Sequence, residues 1–335
     1  MYNNCIYKDR GCVNNLESEW ERTLPYVELE KNQIIALFKG VLEENDIVCI
    51  SRANEGCRTT NYFIESKYNR YVLKIFYNKD VDYRKELELS KVLKGKIPIP
   101  TVYKYGEDKK IGNKKYIIYG YLDGISLSRY VSEGNKIEVK FVKQVAKAMS
   151  QIHKIKYKQI GFLNDKLKIE NELPPLYEWY TIFMGERVKK RLGKDKENSI
   201  LKIIEDNKDI LYELDKQARL VHGDFQGGNI LINENGDLSG ILDWEFAMAG
   251  HPLADIGQFF RYSEYFNDEL IKIFECEYRK YSDYNIENDW YKLSMIRDIV
   301  NLIQLISKEA EMPKKYKSVI NRIKTTINLV GGGII

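Results

Sequence analysis

The sequence predicts an α+β protein in two lobes, a small β-rich one over residues 1–120 and a larger, mainly helical one over 121–335. Three observations predict it. Short β-rich runs separated by turns fill the stretch from Ile47 to Gly124, and apolar residues at helix spacing dominate from residue 125 onward. Between the later helices lies a short apolar hairpin flanked by Asp224, Asn229 and Asp243. A chain of 335 residues is long enough to bury two separate cores.

The first 35 or so residues are expected to form a helix packed on the small lobe. Ile47–Arg52 and Thr60–Ile64 read as strands joined by the connection 53–59, and Tyr71–Phe76 is a third strand with Lys74 inside it. A lysine within an apolar strand is costly unless its ammonium has a partner. Tyr83–Leu93 reads as a helix with apolar Leu87, Leu89, Val92 and Leu93; its Glu86 and Glu88 point in different directions, so only one can face Lys74. Pro98 and Pro100 stop helix propagation, a strand starts at Thr101, and Lys115–Gly124 is the last strand running into a linker. Ile137, Phe141, Val142, Val145, Met149 and Ile152 form the apolar face of a helix that His153, a structural histidine, closes. Leu176–Phe183 opens another helix after Pro174 and Pro175, and helical stretches cover 252–281 and Trp290–Leu305. Lys189, Lys190, Arg191 and Lys194 read as a solvated helix face, and Gly331–Gly333 as a frayed tail.

The chemistry concentrates in the segment His222-Gly223-Asp224-Phe225-Gln226-Gly227-Gly228-Asn229 and in Asp243-Trp244-Glu245. Asp224 and Asn229 stand five residues apart across two glycines, which let the backbone fold tightly. Ile230–Ile232, a turn at Asn233–Asp237 and Leu238–Leu242 make the hairpin, so Asn229 at its entrance and Asp243 at its exit share one end. Two hard oxygen ligands there suit Mg²⁺, which keeps its other positions for water and phosphate oxygens. A carboxylate, a carboxamide and a second carboxylate in this order, with a lysine and an orienting acid upstream, are the set that phosphoryl transfer needs. No G-x-x-x-x-G-K-[ST] loop occurs, which excludes a Walker-type engine, and the single glycine of 53–59 is not a G-x-G-x-x-G loop.

The pattern His222-Gly-Asp224-x-x-x-x-Asn229 followed by Asp243-Trp-Glu resembles the aminoglycoside phosphotransferase and choline kinase superfamily, whose members share the bilobal protein-kinase-like fold. The resemblance implies Asp224 as catalytic base, Asn229 and Asp243 as Mg²⁺ ligands, and His222 as a residue that holds the loop. Gly250–Ile256 also matches, with Asp255 bracing the catalytic loop. Lys74 would hold the nucleotide phosphates, oriented by Glu86, which the leucine seven residues on (Leu93) selects over Glu88. Polar residues of the 53–61 connection (Arg58, Thr59, Thr60 and Asn61) would contact phosphates in place of a glycine-rich loop. The backbone from Gly120 to Leu122 would meet the base of ATP or GTP; Gly120 stands where many relatives carry an acid, so the choice between the two stays open.

Composition narrows the partners. The net charge of +4 is spread along the chain and interleaved with acids, which gives no case for nucleic acid. Five cysteines without a C-x-x-C pair point to free thiols in a reducing compartment, and neither a signal peptide nor a ~20-residue apolar span is present, so a cytoplasmic, soluble monomer is expected. Between Arg261 and Trp290 eight acids (Glu264, Asp268, Glu269, Glu275, Glu277, Asp283, Glu287 and Asp289) face four bases, a balance that would draw a small cationic acceptor bearing a hydroxyl. An aminoglycoside fits, and the glycine of His222-Gly223-Asp224 is more typical of the antibiotic kinases. Tyr262, Tyr265, Phe266, Tyr278, Tyr281, Tyr284, Trp290 and Tyr291 offer the alternative of an aromatic box for choline. A pseudokinase on the same fold is a further alternative, although all four chemical positions are filled. A protein kinase is disfavoured by the missing A-P-E-like segment.

Overall fold

A computed structural model describes residues 16, 20–53, 58–77 and 83–331. Its first part comprises α1 (Lys31–Phe38), β1 (Ile47–Arg52), β2 (Thr60–Ser66), β3 (Arg70–Ile75), α2 (Arg84–Leu93), β4 (Val102–Asp108) and β5 (Lys114–Gly120). The five strands form one antiparallel sheet in the order β1-β2-β3-β5-β4. Alternate residues of β2 (Thr60, Tyr62, Ile64 and Ser66) are buried, the period-two pattern of a strand with one covered face. α1 buries Ile34, Leu37 and Phe38 in the same apolar cluster as Tyr62, Ile64, Leu73 and Ile118. A helix does pack on the sheet, but it begins only at Lys31 and runs past the stretch where one was expected; the described residues 20–30 are not helical.

The remainder comprises β6 (Ile125–Ser126), α3 (Leu127–Ser132), α4 (Val139–Ile152), β7 (Gly161–Leu163), β8 (Ile169–Glu172), α5 (Leu176–Phe183), α6 (Glu186–Leu192), α7 (Lys194–Asp206) and α8 (Lys208–Asp215). There follow β9 (Arg219–Val221), β10 (Ile230–Ile232), β11 (Leu238–Ile241), β12 (Met248–Gly250), α9 (Leu253–Phe259), α10 (Asp268–Tyr281), α11 (Trp290–Ile306) and α12 (Pro313–Gly331). Two small sheets, β11-β10-β6 and β8-β7-β12-β9, sit among these helices. A second, larger apolar cluster runs through them, and it also takes Leu89 and Leu93 of α2. The β-rich half and the helical half thus meet at α2, which carries Glu86.

Three expectations need correction. The stretch 252–281 is two helices: α9 stops at Phe259, and Asn267 starts α10 by accepting the Leu270 N–H on its side-chain oxygen (2.9 Å). Helices α6 to α8 and α12 lack foreseen boundaries because their amphipathic faces are interleaved with lysine. Cys49 is buried and disulfide-bonded rather than a free thiol; Cys276 is free and exposed, while Cys5, Cys12 and Cys57 lie outside the described residues. Gly331 ends α12, and Gly332 and Gly333 also lie outside the described residues. Among the described residues no helix is long and apolar enough to cross a membrane.

Candidate active site

The hairpin holds Asn229 and Asp243 at one end. β10 and β11 pair antiparallel with Ile230 opposite Ile241, and the Leu242 N–H donates to the Asn229 carbonyl at 2.8 Å. The Asn229 carboxamide donates to the Asp224 carbonyl (2.9 Å) and carboxylate (2.8 Å). Both its N–H groups being engaged there, its oxygen is the atom it offers elsewhere. Asp243 has φ 64° and ψ 67°, a left-handed conformation that aspartate tolerates better than most residues. That twist takes Asp243 out of the strand direction and brings its carboxylate 2.7 Å from Lys74 Nζ.

The loop carrying Asp224 is pinned from below. Asp255, fully buried at the start of α9, accepts the N–H groups of His222 (2.8 Å) and Gly223 (2.9 Å) and bonds His153 Nε2 (3.1 Å). One turn on, Gln258 accepts the Phe225 N–H at 2.5 Å and donates to the Gly223 carbonyl at 2.9 Å. Gln258 is absent from the sequence-derived site; its i+3 spacing from Asp255, which puts both on one helix face, was the available signal. His222 Nδ1 accepts the Asp224 N–H (3.2 Å), so its Nε2 carries the proton and donates to the Leu242 carbonyl at 2.9 Å. Burial holds its pKa below the ordinary histidine value, and the neutral ring ties the Asp224 loop to the residue before Asp243. His153 is structural, as expected: it is fully buried between Asp255 and the Tyr278 hydroxyl.

Positive-φ freedom is needed at Gly223, not at Gly227 or Gly228, although a Cβ on Gly227 would lie 2.7 Å from the Ser128 Oγ. Gly223 has φ +78°, and a Cβ there would lie 2.4 Å from the Phe246 carbonyl oxygen. Gly257 matters for packing: a Cβ on it would lie 2.1 Å from the Ser294 carbonyl oxygen on α11. Gly257→Ala is therefore expected to push α9 off α11 and destabilise the protein by about 1–3 kcal/mol. Urea unfolding checks this, and because α9 carries Asp255 and Gln258, turnover should fall with it. Wild-type stability in that variant would contradict the packing described here.

Lys74 is buried and bonded on two sides, to Glu86 Oε1 at 3.0 Å and to Asp243 Oδ1 at 2.7 Å. The structure brings Glu86 to it, while Glu88 pairs with Lys91 at 3.1 Å on the outer face of α2. Burial alone would lower the lysine pKa, but the charges of Asp243, Glu86 and Glu245 outweigh it and hold the ammonium protonated. For Asp243, burial works to raise the pKa and the Lys74 ammonium overrides it, keeping the carboxyl ionised. Tyr119, which sequence reasoning missed, donates its hydroxyl to Glu86 Oε2 at 2.5 Å; burial and the Glu86 charge push its pKa up. Glu86 is thus fixed at both oxygens.

These residues line one cleft with a cavity volume of about 1120 Å³. Arg58, Thr59 and Asn61 of the β1–β2 connection line it, as do Gly120 and Leu122 of the linker. The Gly120 and Tyr121 N–H groups are already taken by the carbonyls of Thr101 (2.8 Å) and Arg70 (3.0 Å). Thr60, expected at the phosphates, does not reach them: it is buried, and its hydroxyl accepts the Val27 N–H at 2.9 Å. Strand alternation turns it inward while Thr59 and Asn61 on either side face the cleft.

The cleft is also lined by Asn301 and Gln304, three residues apart on one face of α11, by Lys308 in the connection after it, and by Lys315 of α12. None of the eight acids expected to draw a cation lines it. Arg261 is the one residue of that window that does, held by Asp298 through two bonds of 2.8 and 2.7 Å. The acids pair with nearby bases instead, among them Glu264 with Arg322, Asp283 with Arg219 and Lys156, and Glu275 with Arg279. The aromatics of the window also fail to line the cleft, and Tyr278, Tyr284 and Trp290 are core residues.

Among the described residues no three histidine, cysteine, aspartate or glutamate side chains gather at metal-binding distance. The Asn229 oxygen and the Asp243 carboxylate are the hard donors at hand. A site of one carboxylate and one carboxamide fits Mg²⁺, which binds through few protein ligands beside phosphate and water.

A family model described as the phosphotransferase enzyme family (APH) matches residues 50–286, most of the chain. The chain belongs to that family. No curated protein matches it. Among solved structures, the fold of this family member is similar to a thermostable mutant of aminoglycoside phosphotransferase APH(4)-Ia in ternary complex with AMP-PNP and hygromycin B (TM-score 0.65, 17% identity, 89% of this chain and 99% of that one). It is also similar to choline kinase LicA from Streptococcus pneumoniae (TM-score 0.60, 16% identity, 89% and 98%). Spectinomycin phosphotransferase APH(9)-Ia, solved with ADP and spectinomycin, gives a TM-score of 0.56 at 16% identity over 89% and 98% of the two chains.

Proposed function

We propose that this phosphotransferase is a cytoplasmic small-molecule kinase that moves the γ-phosphoryl of ATP or GTP to a hydroxyl of its acceptor, with an aminoglycoside antibiotic as the acceptor class to test first. The observation that carries the reading is the meeting of Lys74, Asp224, Asn229 and Asp243 in one cleft. Lys74, steadied by Glu86, grips the α- and β-phosphates, with Arg58 and Thr59 beside it. The Gly120 carbonyl and Leu122 N–H meet the edge of the base. Mg²⁺ held by Asn229 and Asp243 would offset the charge of the phosphates. Asp224 orients the acceptor hydroxyl and takes its proton; in a loose transition state, placement and charge stabilisation count for more than base strength.

The choice of acceptor draws on family membership and on the aminoglycoside kinases among the similar folds, not on local acidity, because the acids that suggested a cation lie outside the cleft. Lys308 and Lys315 line it instead, the Arg261 charge being met by Asp298, so panel members with fewer amino groups are expected to turn over best. The test is Mg²⁺-dependent release of ADP or GDP across a panel of aminoglycosides with choline as comparator. Acceptor-dependent release with one aminoglycoside class supports the proposal. Silence across the antibiotics with release on choline would replace it by the choline reading.

A further inference from the structure

The segment Trp20 to Leu29 forms part of the cleft wall: Trp20, Arg22, Thr23, Leu24 and Tyr26 line it. Two consecutive residues of opposite charge reach its two walls. The Glu21 carboxylate accepts the backbone N–H groups of Lys314 (3.0 Å) and Lys315 (3.2 Å) in the first turn of α12. A carboxylate there satisfies donors that a helix start leaves without an intrahelical partner. The Arg22 guanidinium donates to the Thr59 carbonyl at 2.7 Å, in the phosphate-side connection between β1 and β2.

Both ends are reinforced. The Lys315 ammonium lies 4.8 Å from the centre of the Trp20 ring, and the guanidinium groups of Arg22 and Arg52 each lie 3.9 Å from the centre of the Tyr26 ring. Beyond Tyr26, the Val27 N–H bonds the Thr60 hydroxyl and the Val27 carbonyl accepts from the Tyr62 hydroxyl, both at 2.9 Å. The segment is therefore stitched to β2 at one end and to α12 at the other.

We infer that Glu21 and Arg22 are positioning residues that act as one clasp, fixing the distance between the α11–α12 wall and the phosphate-side connection. The inference rests on the proposed kinase reading for its consequence. With the clasp closed, an acceptor enters a pocket of set width and meets Thr59 and Lys74 in register; with either end released, the acceptor wall and the phosphate wall move independently. Neither residue touches the reacting atoms.

The first test needs no acceptor. Hydrogen–deuterium exchange of the full chain would compare wild type with Glu21→Gln and Arg22→Ala. Glu21 bonds only α12 in this clasp, yet Glu21→Gln is expected to raise exchange in the peptide spanning Arg58–Tyr62 by at least about fivefold, as Arg22→Ala does. The double variant should show no more than either single one, because a clasp opened at one end is already open. Exchange confined to the α12 peptide in Glu21→Gln, or additive effects in the double variant, would overturn the inference. The second test takes whichever panel acceptor the wild type phosphorylates. The acceptor KM should rise by about tenfold in each single variant, well beyond any fall in affinity for a fluorescent ATP analogue, with kcat little changed. A fall in nucleotide affinity alone would assign the segment to the nucleotide instead. A wild type without turnover on any acceptor counts against the kinase reading and leaves the exchange result to decide the clasp.

Discussion

Asp224→Ala is expected to reduce turnover by about 10²–10⁴-fold while nucleotide affinity survives. The split follows from what the residue touches. Its carboxylate faces the cleft and accepts one N–H of Asn229, and removing it takes away the group that orients the acceptor hydroxyl and accepts its proton. The nucleotide side is held by other contacts. Asn229 keeps its bond to the backbone carbonyl of residue 224 (2.9 Å), which the alanine variant retains. The loop keeps the Asp255 and Gln258 bonds, which go to backbone groups of residues 222, 223 and 225. Single-turnover kinetics with a separate titration of ATP analogue measure the two halves of the prediction. Near-wild-type turnover would remove Asp224 from the role of base.

The second large effect is on binding. Asp243→Ala removes one of the two hard donors at the hairpin end and the carboxylate 2.7 Å from Lys74. Mg²⁺-dependent nucleotide affinity is expected to fall by about 100-fold, the upper end of what loss of even a supporting partner costs a bound metal. The part of the affinity measured without Mg²⁺ should change little, because Lys74 remains held by Glu86 at 3.0 Å and stays charged. Titration of an ATP analogue with and without Mg²⁺ separates the two. Equal loss in both conditions would mean that Asp243 acts through Lys74 rather than through the metal.

Much of this site was legible in the sequence because its chemistry is local. Asn229 and Asp243 meet because a two-strand hairpin must bring its ends together, and a turn at Asn233–Asp237 marks such a hairpin. Lys74 announced itself by standing in an apolar strand, where burial demands a partner. Choosing Glu86 over Glu88 required the resemblance, since both are acids on one short helix. What the sequence hid is tertiary. Thr60 lies between two cleft residues, and only the strand register shows that it faces the Val27 backbone. The acids from Glu264 to Asp289 looked like a pocket because they cluster along the chain. In space they pair with Arg219, Arg279, Arg322 and Lys156, three of which lie outside or at the edge of that cluster. Glu21 and Arg22 meet groups more than 290 and about 40 residues away respectively, which no local pattern reveals.

The most direct test of the central claim is a phosphorus NMR time course of the protein with Mg²⁺, ATP or GTP, and the aminoglycoside panel. The account predicts loss of the γ-phosphate signal matched by a new phosphomonoester signal on an acceptor, absent in the Asp224→Ala control. Conversion of the γ-phosphate to inorganic phosphate alone, or a spectrum unchanged with either nucleotide and any acceptor, would contradict it.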